Sequence, residues 1–521
     1  MTGSRGAAKR QVVPRWRPWR TTALLGEAAR PLELEHRSSL ATPTNKLLAD
    51  YEEDPHRGRG GDLLSVASVY GDKQPAVLEM ATRIAKEEQG SMLGELAQSL
   101  LETERDRHNR AFDVEPIDSR TRVARLKRVL MREPHNSLRW TDLAREYLSL
   151  GQTSQAERAI LVALQLNPDD RFILRSAVTL YAHGGRFDKA SAVLEASGRR
   201  EVDPWLLAPA IAILDLSNSR QGLKRAAVRA LEGDFPEFAL AELAAAVGTV
   251  EMNGGSERRG RQLLRRSARD PTENALAQVE WVSSRSDARI IGHVPANVPR
   301  AFEALTHRAD SEGRWRDGLG TARHWQQDQT FSAEAAIAGS FCACELEDWV
   351  SASAIASSGL LANPDNISLL NNMAYAEIEA GRLPNALTVL ERARSVVGAR
   401  EDKVVLAATE ALLLYRAGMA EEGKRRYDAV VNHFSRKQDV DRAAKASLMC
   451  AREEIRRRSD EWRESWHKAD LLKEKATRPD VLDLGKKVAR LAEAGSNGVV
   501  VDPRNATLVR PILQTPPELE S

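Results

Sequence analysis

Prolines recur along the chain at a nearly constant spacing, and each one closes a segment in which apolar residues are spaced as on a helix. The spacing is about 34 residues, which is typical of stacked helical hairpins. The prolines that follow this spacing are Pro134, Pro168, Pro204, Pro236 and Pro271, and Pro364 later falls into the same phase. Such a chain grows by adding repeats, so a length of 521 residues does not require several separate cores.

The composition is that of a folded helical protein without a strong overall charge. Hydrophobic residues make up 42% and charged residues 29%, and 76 basic against 74 acidic residues give a net charge of +2. This balance creates no global field that favours nucleic acid or an anionic membrane. No apolar stretch approaches the length of about 18 residues that a membrane helix needs, so we predict no membrane insertion. The odd count of three cysteines is typical of a reducing compartment, and we expect a cytoplasmic protein.

Charge, proline content and apolar periodicity change along the chain and indicate how it is organised. We predict a disordered basic arm at 1–45, a helical N-terminal cap at 46–118, repeats at 119–273, a divergent helical connector at 274–332, repeats at 333–430, capping helices at 431–496 and a disordered tail at 497–521. The cap is expected because a stack of repeats needs a terminal element with a polar outer face.

One repeat is clearest in the segment 137–170. Large apolar residues lie three or four positions apart on a first helix, small residues let a second helix approach, a glycine separates the two helices and a proline ends the second. These positions are Trp140, Leu143, Ala144, Tyr147, Gly151, Ala156, Ile160, Ala163 and Pro168. The unit from Arg171 repeats the pattern with Tyr181, and the unit from Ile367 repeats it with Gly381 and Ala386.

The pattern W-x-x-L-A-x-x-Y, a glycine, A-x-x-x-I-x-x-A and a proline resembles the tetratricopeptide repeat (TPR) family. The resemblance covers roughly residues 103–430 and implies an all-α, right-handed superhelical solenoid of helical hairpins. It also implies a concave groove that is lined by the first helix of each hairpin and binds a protein or peptide partner.

The resemblance assigns the groove-facing positions of three units. The candidate partner-binding residues at these positions are Arg145, Phe172, Arg175, Thr179, His183, Asn371 and Tyr375. We expect Arg145 and Arg175 to bind a partner carboxylate or peptide backbone together, while Phe172 offers an apolar contact. Family members that bind chaperone tails use a lysine and an asparagine where this chain has Thr141 and Arg145, so that particular carboxylate clamp is not reproduced.

The chain contains no recognisable catalytic or cofactor motif. Glycine-rich phosphate loops, H-E-x-x-H and G-x-S-x-G are missing, and the ten histidines include no pair four residues apart. We therefore predict a scaffold or adaptor that is not an enzyme and that uses no cofactor and no metal.

Two basic features leave other functions open. Arg258, Arg261, Arg265 and Arg269 share one helix face, as do four arginines from Arg122 to Arg132, and such stripes can neutralise phosphates. A regulatory repeat protein that senses a ligand or binds nucleic acid is therefore the alternative.

The basic arm contains the sequence Arg15-Trp16-Arg17-Pro18-Trp19-Arg20, in which two indoles lie among three guanidinium groups. One interpretation is a short linear motif for a partner, an acidic surface or RNA, because stacking and charge act together in such motifs. The other is a tail without a function of its own.

Overall fold

A computed structural model describes residues 14–19, 43–70, 74–88, 91–101, 119–216, 223–285, 289–295 and 298–494. In these ranges the regular secondary structure is helical, without a strand. Residues 20–117 form one compact unit, and residues 1–19 together with 118–521 form the other. The predicted tail at 497–521 lies outside the described residues.

The smaller unit contains four helices in its described part: α1 (Pro43–Glu53), α2 (Arg57–Tyr70), α3 (Pro75–Glu87) and α4 (Met92–Leu101). Their apolar sides meet in a core that includes Leu63, Leu64, Val77 and Ile84. A helical region was expected here, although α1 begins inside the predicted arm. Its role as a cap stays a prediction.

The larger unit is an array of helices. They are α5 (Ser119–Leu130), α6 (Ser137–Ser149), α7 (Thr153–Leu166), α8 (Arg171–His183), α9 (Phe187–Ala196), α10 (Pro204–Leu216), α11 (Lys224–Glu232), α12 (Glu237–Asn253), α13 (Glu257–Ser267), α14 (Glu273–Ser283), α15 (Phe302–Glu312), α16 (Trp315–Asp328), α17 (Ala333–Glu345), α18 (Trp349–Ala362), α19 (Ile367–Glu379), α20 (Leu383–Val396), α21 (Arg400–Arg416), α22 (Ala420–Arg436), α23 (Val440–Arg457), α24 (Trp462–Lys473) and α25 (Pro479–Ala494). From α6 to α13 and from α15 to α24, consecutive helices pack as hairpins. The predicted all-α repeat solenoid is confirmed.

The α6–α7 hairpin shows how the local sequence forms a repeat. The Asn136 side chain accepts a hydrogen bond from the Arg139 amide and caps α6, which satisfies a donor that the first turn leaves open. Gly151 adopts a φ of 71° between the two helices, and Pro168 follows the end of α7.

The predicted repeat positions are found inside these hairpins with one exception. Tyr147, Ala156, Tyr181 and Ala386 are buried, and Gly381 has a φ of 76° at the corresponding turn. Trp140 differs, because its ring is only partly buried and its Nε1 donates a hydrogen bond to the Pro134 carbonyl at 2.8 Å. This tryptophan therefore packs against the edge of the main apolar core and also bonds to the turn that precedes α6.

The solenoid completes a superhelical turn between α6 and α18. At the end of α6, the Ser149 hydroxyl shares a hydrogen bond with the Thr330 hydroxyl. A Cβ at Gly151 would lie 2.3 Å from the Leu361 carbonyl oxygen, so the chain passes very close to α18 here. The C-terminal ends of α6 and α8 therefore meet residues far along the chain, as the contact between His183 and Phe331 also shows.

The prediction of a disordered arm is wrong for residues 14–19. This segment is non-helical over residues 14–18 and lies inside the larger unit, where Trp16 joins the main apolar core. Residues 14–19 are inside because burial of an indole and paired guanidinium groups offsets the cost of ordering the backbone.

Candidate peptide-binding groove

Residues 14–19, here called the arm segment, occupy the interior of the superhelical turn. Trp16 is 0% exposed and Arg17 is 7% exposed. The contacting residues, here called the groove, lie on α6, α8, α14 and α15, at the end of α16 and in the connection from α16 to α17. They are Asp142, Arg145, Phe172, Thr179, Glu273, Glu303, Asp328, Gln329 and Phe331.

Two groove helices bind the backbone of the arm segment. The Thr179 hydroxyl on α8 donates a hydrogen bond to the Pro14 carbonyl at 2.8 Å. Arg145 Nε on α6 donates to the Trp16 carbonyl at 2.9 Å, and the Gln329 amide donates to the same oxygen at 3.3 Å. Since backbone carbonyls are common to every peptide, these contacts position a segment independently of its side chains.

Arg145 connects the arm segment to the far side of the turn. It is 1% exposed, and besides Trp16 it donates to the Asp328 carbonyl at 2.9 Å and to the Glu146 carboxylate at 2.7 Å. All three interactions use the fixed fork of the guanidinium group. The arginine therefore holds the groove and its occupant in one network.

Acidic side chains of the groove form ion pairs with the arginines of the arm segment. Arg17 Nε lies 2.8 Å from each carboxylate oxygen of Asp328, and Arg17 Nη1 lies 2.7 Å from Glu273. Asp328 also accepts from Arg300 at 2.8 Å, and Arg15 forms an ion pair with Glu303. Three carboxylates of the groove, those of Glu273, Glu303 and Asp328, therefore face the two arginines of the arm segment.

Asp328 stays ionised although it is buried. Burial raises the pKa of its carboxyl group, but the guanidinium groups of Arg17, Arg300 and Arg15 outweigh burial and lower the pKa below its usual value. A buried carboxylate of this kind needs a cationic partner at neutral pH.

Aromatic side chains surround the two indoles. The Trp16 and Phe331 ring centroids are 5.9 Å apart, and Trp19 meets Phe172 edge to face at 5.2 Å. His183 contacts Phe331 edge to face at 5.7 Å, and burial lowers the pKa of this imidazole, which favours its neutral form. Pairs at these distances stabilise beyond the area that they bury.

Asp142 fixes the end of the arm segment. Its carboxylate accepts a hydrogen bond from the Trp19 amide at 2.9 Å and lies 3.7 Å from Arg139. Burial raises the pKa of Asp142 to about 6, although the Trp19 amide and Arg145 act in the opposite direction. The Asp142 carboxyl group therefore changes between its neutral and its negatively charged form at a pH near 6.

The candidate residues predicted from the sequence separate into two groups. Arg145, Phe172 and Thr179 contact the arm segment, and His183 contacts the groove residue Phe331. The partner-binding role of these residues stays a prediction.

The expected arginine pair for a partner carboxylate is not formed. Arg175 is 4% exposed and turns to α10 and α12, where it donates to the Trp205 carbonyl at 2.7 Å and to Glu242 at 3.0 Å. Arg145 binds the arm segment instead. Helical spacing places both residues on a face but does not reveal the buried acid on α12.

The other two candidates lie in the second half of the solenoid and contact its own helices. Asn371 accepts a hydrogen bond from Thr409 at 2.7 Å. Tyr375 accepts from Arg452 at 3.4 Å and meets Trp349 edge to face at 5.9 Å. The structure does not bring this pair to the arm segment.

Sequence reasoning missed the acidic side of the groove. Glu273, Glu303 and Asp328 are spread over α14, α15 and α16, and no local motif links them. One signal was present: residues 1–26 combine arginines and two tryptophans without an acid, and tryptophan is highly buried on average in folded proteins. Such a segment requires both an apolar pocket and acidic partners elsewhere.

The fold and the groove define a TPR-like helical-repeat protein with a peptide-sized interior groove. No family model matches the chain, and no curated protein matches it. Among solved structures it is similar to yeast Tom70, with 13% identity over 75% of this chain and 94% of that one and a TM-score of 0.29. It is also similar to the Cut9-Hcn1 hetero-tetramer of APC/C, with 15% identity over 85% and 92% of the chains and a TM-score of 0.37. TM-scores of this size carry no conclusion about partners or activity.

Within the part of the chain that the structure describes, no group of three His, Cys, Asp or Glu side chains is arranged to hold a metal ion. No described helix is long and apolar enough to cross a membrane.

Proposed function

We propose that the chain is a non-catalytic scaffold that holds a peptide segment of a protein partner inside its first superhelical turn. The observation that supports this is the arm segment itself, a non-helical peptide bound there through its backbone and side chains. A preformed groove of this kind binds with little ordering of the repeat protein. The cytoplasmic location remains part of this proposal.

The test uses the chain without residues 1–20 and a labelled synthetic peptide of residues 12–21. Fluorescence anisotropy should show saturable binding. Thr179→Val removes the donor to the Pro14 carbonyl and should weaken binding about 3- to 10-fold, the effect of one hydrogen bond. The matched control is Arg158→Ala on the exposed side of α7, which should leave binding unchanged.

Peptide binding that is absent, or that Thr179→Val and Arg158→Ala weaken equally, contradicts the proposed function. Circular dichroism of each variant shows whether the repeats remain folded, so that a loss of structure is not mistaken for a loss of binding.

The basic face of α13 supports a second candidate, binding of nucleic acid. Arg258, Arg259, Arg265 and Arg269 are exposed, and among the described residues no acid lies in ion-pair distance of them. Two arginines of this helix are paired: Arg261, a member of the predicted stripe, lies 3.6 Å from Glu257, and Arg266 lies 3.0 Å from Glu237. One arginine of the second basic stripe is also paired, because Arg122 lies 3.5 Å from the Glu146 carboxylate.

The second candidate is tested by RNA and duplex DNA binding at several salt concentrations. If α13 binds phosphates, the affinity for nucleic acid falls steeply as the salt concentration rises. The double variant Arg258→Gln, Arg265→Gln should then reduce the slope of log affinity against log salt concentration by about 2. Binding that is absent at low salt, or a slope that these changes do not alter, excludes this face.

A further inference from the structure

The chemistry of the groove specifies what kind of peptide it accepts. Glu273 and Asp328 face one arginine and Glu303 faces another, while the residue between them fills an apolar site beside Phe331. The occupant therefore presents arginine, a large aromatic residue and arginine in consecutive positions. A segment rich in carboxylates, which the arginines on α6 and α8 suggested from the sequence, would meet like charge here.

Arginine is favoured over lysine at the inner position. Arg17 Nε is within 2.8 Å of both Asp328 oxygens, and its Nη1 reaches Glu273 on another helix at 2.7 Å. A planar fork can donate to two carboxylates at once, whereas an ammonium group acts as a single compact charge. The indole site sets the second requirement, because Trp16 is 0% exposed and an aliphatic side chain would leave part of that volume empty.

We infer that the groove selects an arginine–aromatic–arginine segment, and that residues 14–19 are its tethered occupant, which a protein partner carrying such a segment must displace. This inference rests on the proposed function and adds to it the chemistry of the partner and the means of regulation. While the arm segment is bound, the groove therefore excludes acidic peptides and peptides that bind it weakly.

The tether determines how strongly the arm segment competes. A segment that is covalently joined to its own binding site competes at an effective concentration on the order of millimolar. If the free peptide binds with a dissociation constant of about 1–10 µM, its apparent affinity for the full chain is lowered about 100- to 1,000-fold. The ratio of the peptide dissociation constants of the full and the shortened chain therefore measures how strongly the arm segment competes.

The first experiment tests selectivity with the chain that lacks residues 1–20. The peptide of residues 12–21 is compared with versions in which the residue matching Arg17 is lysine, glutamine or glutamate. We expect affinity to fall in that order, by at least about 100-fold for glutamine, since hydrogen bonds to charged groups are lost. Equal affinity of the arginine and glutamine peptides overturns the inferred selectivity.

A charge exchange tests the register of binding. Arg15 pairs with Glu303 in the structure, so a peptide with glutamate at that position should bind poorly and should regain affinity for the Glu303→Arg variant. The same variant should bind the unchanged peptide less well. The absence of rescue overturns the assignment of this pair.

The second experiment tests competition in the full chain. The labelled peptide should bind the full chain at least about 100-fold more weakly than the shortened chain, and Trp16→Ala in the full chain should restore most of the difference. Trp281→Ala, a partly exposed tryptophan on α14, is the control and should not restore it. Equal binding to the full and shortened chains overturns the competition while the proposed function stands; binding to neither contradicts the proposed function.

A cleavable chain keeps the test valid if the shortened chain does not fold. A specific protease site is placed between residues 20 and 43, and the full chain is cut after folding. Excess peptide should then release the N-terminal fragment, detected by size-exclusion chromatography and mass spectrometry. A fragment that excess peptide never releases is a permanent part of the core and overturns the inference, as does light scattering that shows a dimer with exchanged arms.

Discussion

Gly151 offers a direct test of how the superhelical turn closes around the arm segment. The residue has a φ of 71°, and an added Cβ would lie 2.3 Å from the Leu361 carbonyl oxygen on α18. Gly185 occupies the corresponding turn of the next hairpin with a φ of 68°, and an added Cβ there would meet nothing within 4 Å. The two glycines therefore share the backbone requirement and differ only in the contact across the turn.

Alanine at each position separates these two effects. The left-handed backbone should cost either variant about 1–2 kcal/mol. Gly151→Ala should cost about 1–3 kcal/mol more, which is typical of overpacking, because a backbone carbonyl cannot rotate away as a flexible side chain can. Urea unfolding followed by tryptophan fluorescence measures both values.

The closure has a second consequence that can be measured. Since Gly151→Ala pushes the end of α6 away from α18, it should also increase peptide access to the full chain, whereas Gly185→Ala should not. Equal losses of unfolding free energy in the two variants would refute the close approach of α6 and α18.

Three further predictions follow from buried groups. Trp140→Ala should lower the free energy of unfolding by about 1–3 kcal/mol in urea denaturation, less than for a fully buried tryptophan, since this ring is partly exposed. Arg175→Met should cost about 3–5 kcal/mol by leaving Glu242 buried without its cation, and adding Glu242→Leu should recover most of the loss in the same assay. Asp142→Asn should stabilise the fold at pH 8 by about 1–3 kcal/mol, because a carboxyl group whose folded pKa is raised to about 6 destabilises the folded state when ionised. That gain should shrink as pH falls below 6 and vanish near pH 4, and a gain that is constant with pH would contradict the assigned burial.

The hairpins were largely predictable because their determinants are local. Asn136 and Asp170 cap α6 and α8 through bonds to amides three residues ahead, and Gly151 ends the first helix of its hairpin. Each of these features acts within one turn of helix, so a single repeat length is enough to recognise it. Between α14 and α15, the described residues 284–285, 289–295 and 298–301 are not helical.

The groove was predicted only in part, since half of it depends on distant residues. Arg145 and Thr179 were assigned from their positions on the first helices, and both contact the arm segment. Arg175 lies one turn before Thr179 on the same face of α8 but is engaged by Glu242, which lies 67 residues away. Helical spacing identifies the helix face on which a side chain lies, but it does not identify the residue that pairs with that side chain.

By itself, the sequence determined that this chain is a stack of helical hairpins with small residues at the helix contacts and glycines at the turns. The tertiary structure decided that the turn closes and that residues 14–19 fill it. Arg17 and Asp328 are 311 residues apart, and they meet only because many small rotations between hairpins accumulate. A local pattern specifies each rotation only approximately, so the side chains that face each other across a full turn are set by the complete packed array.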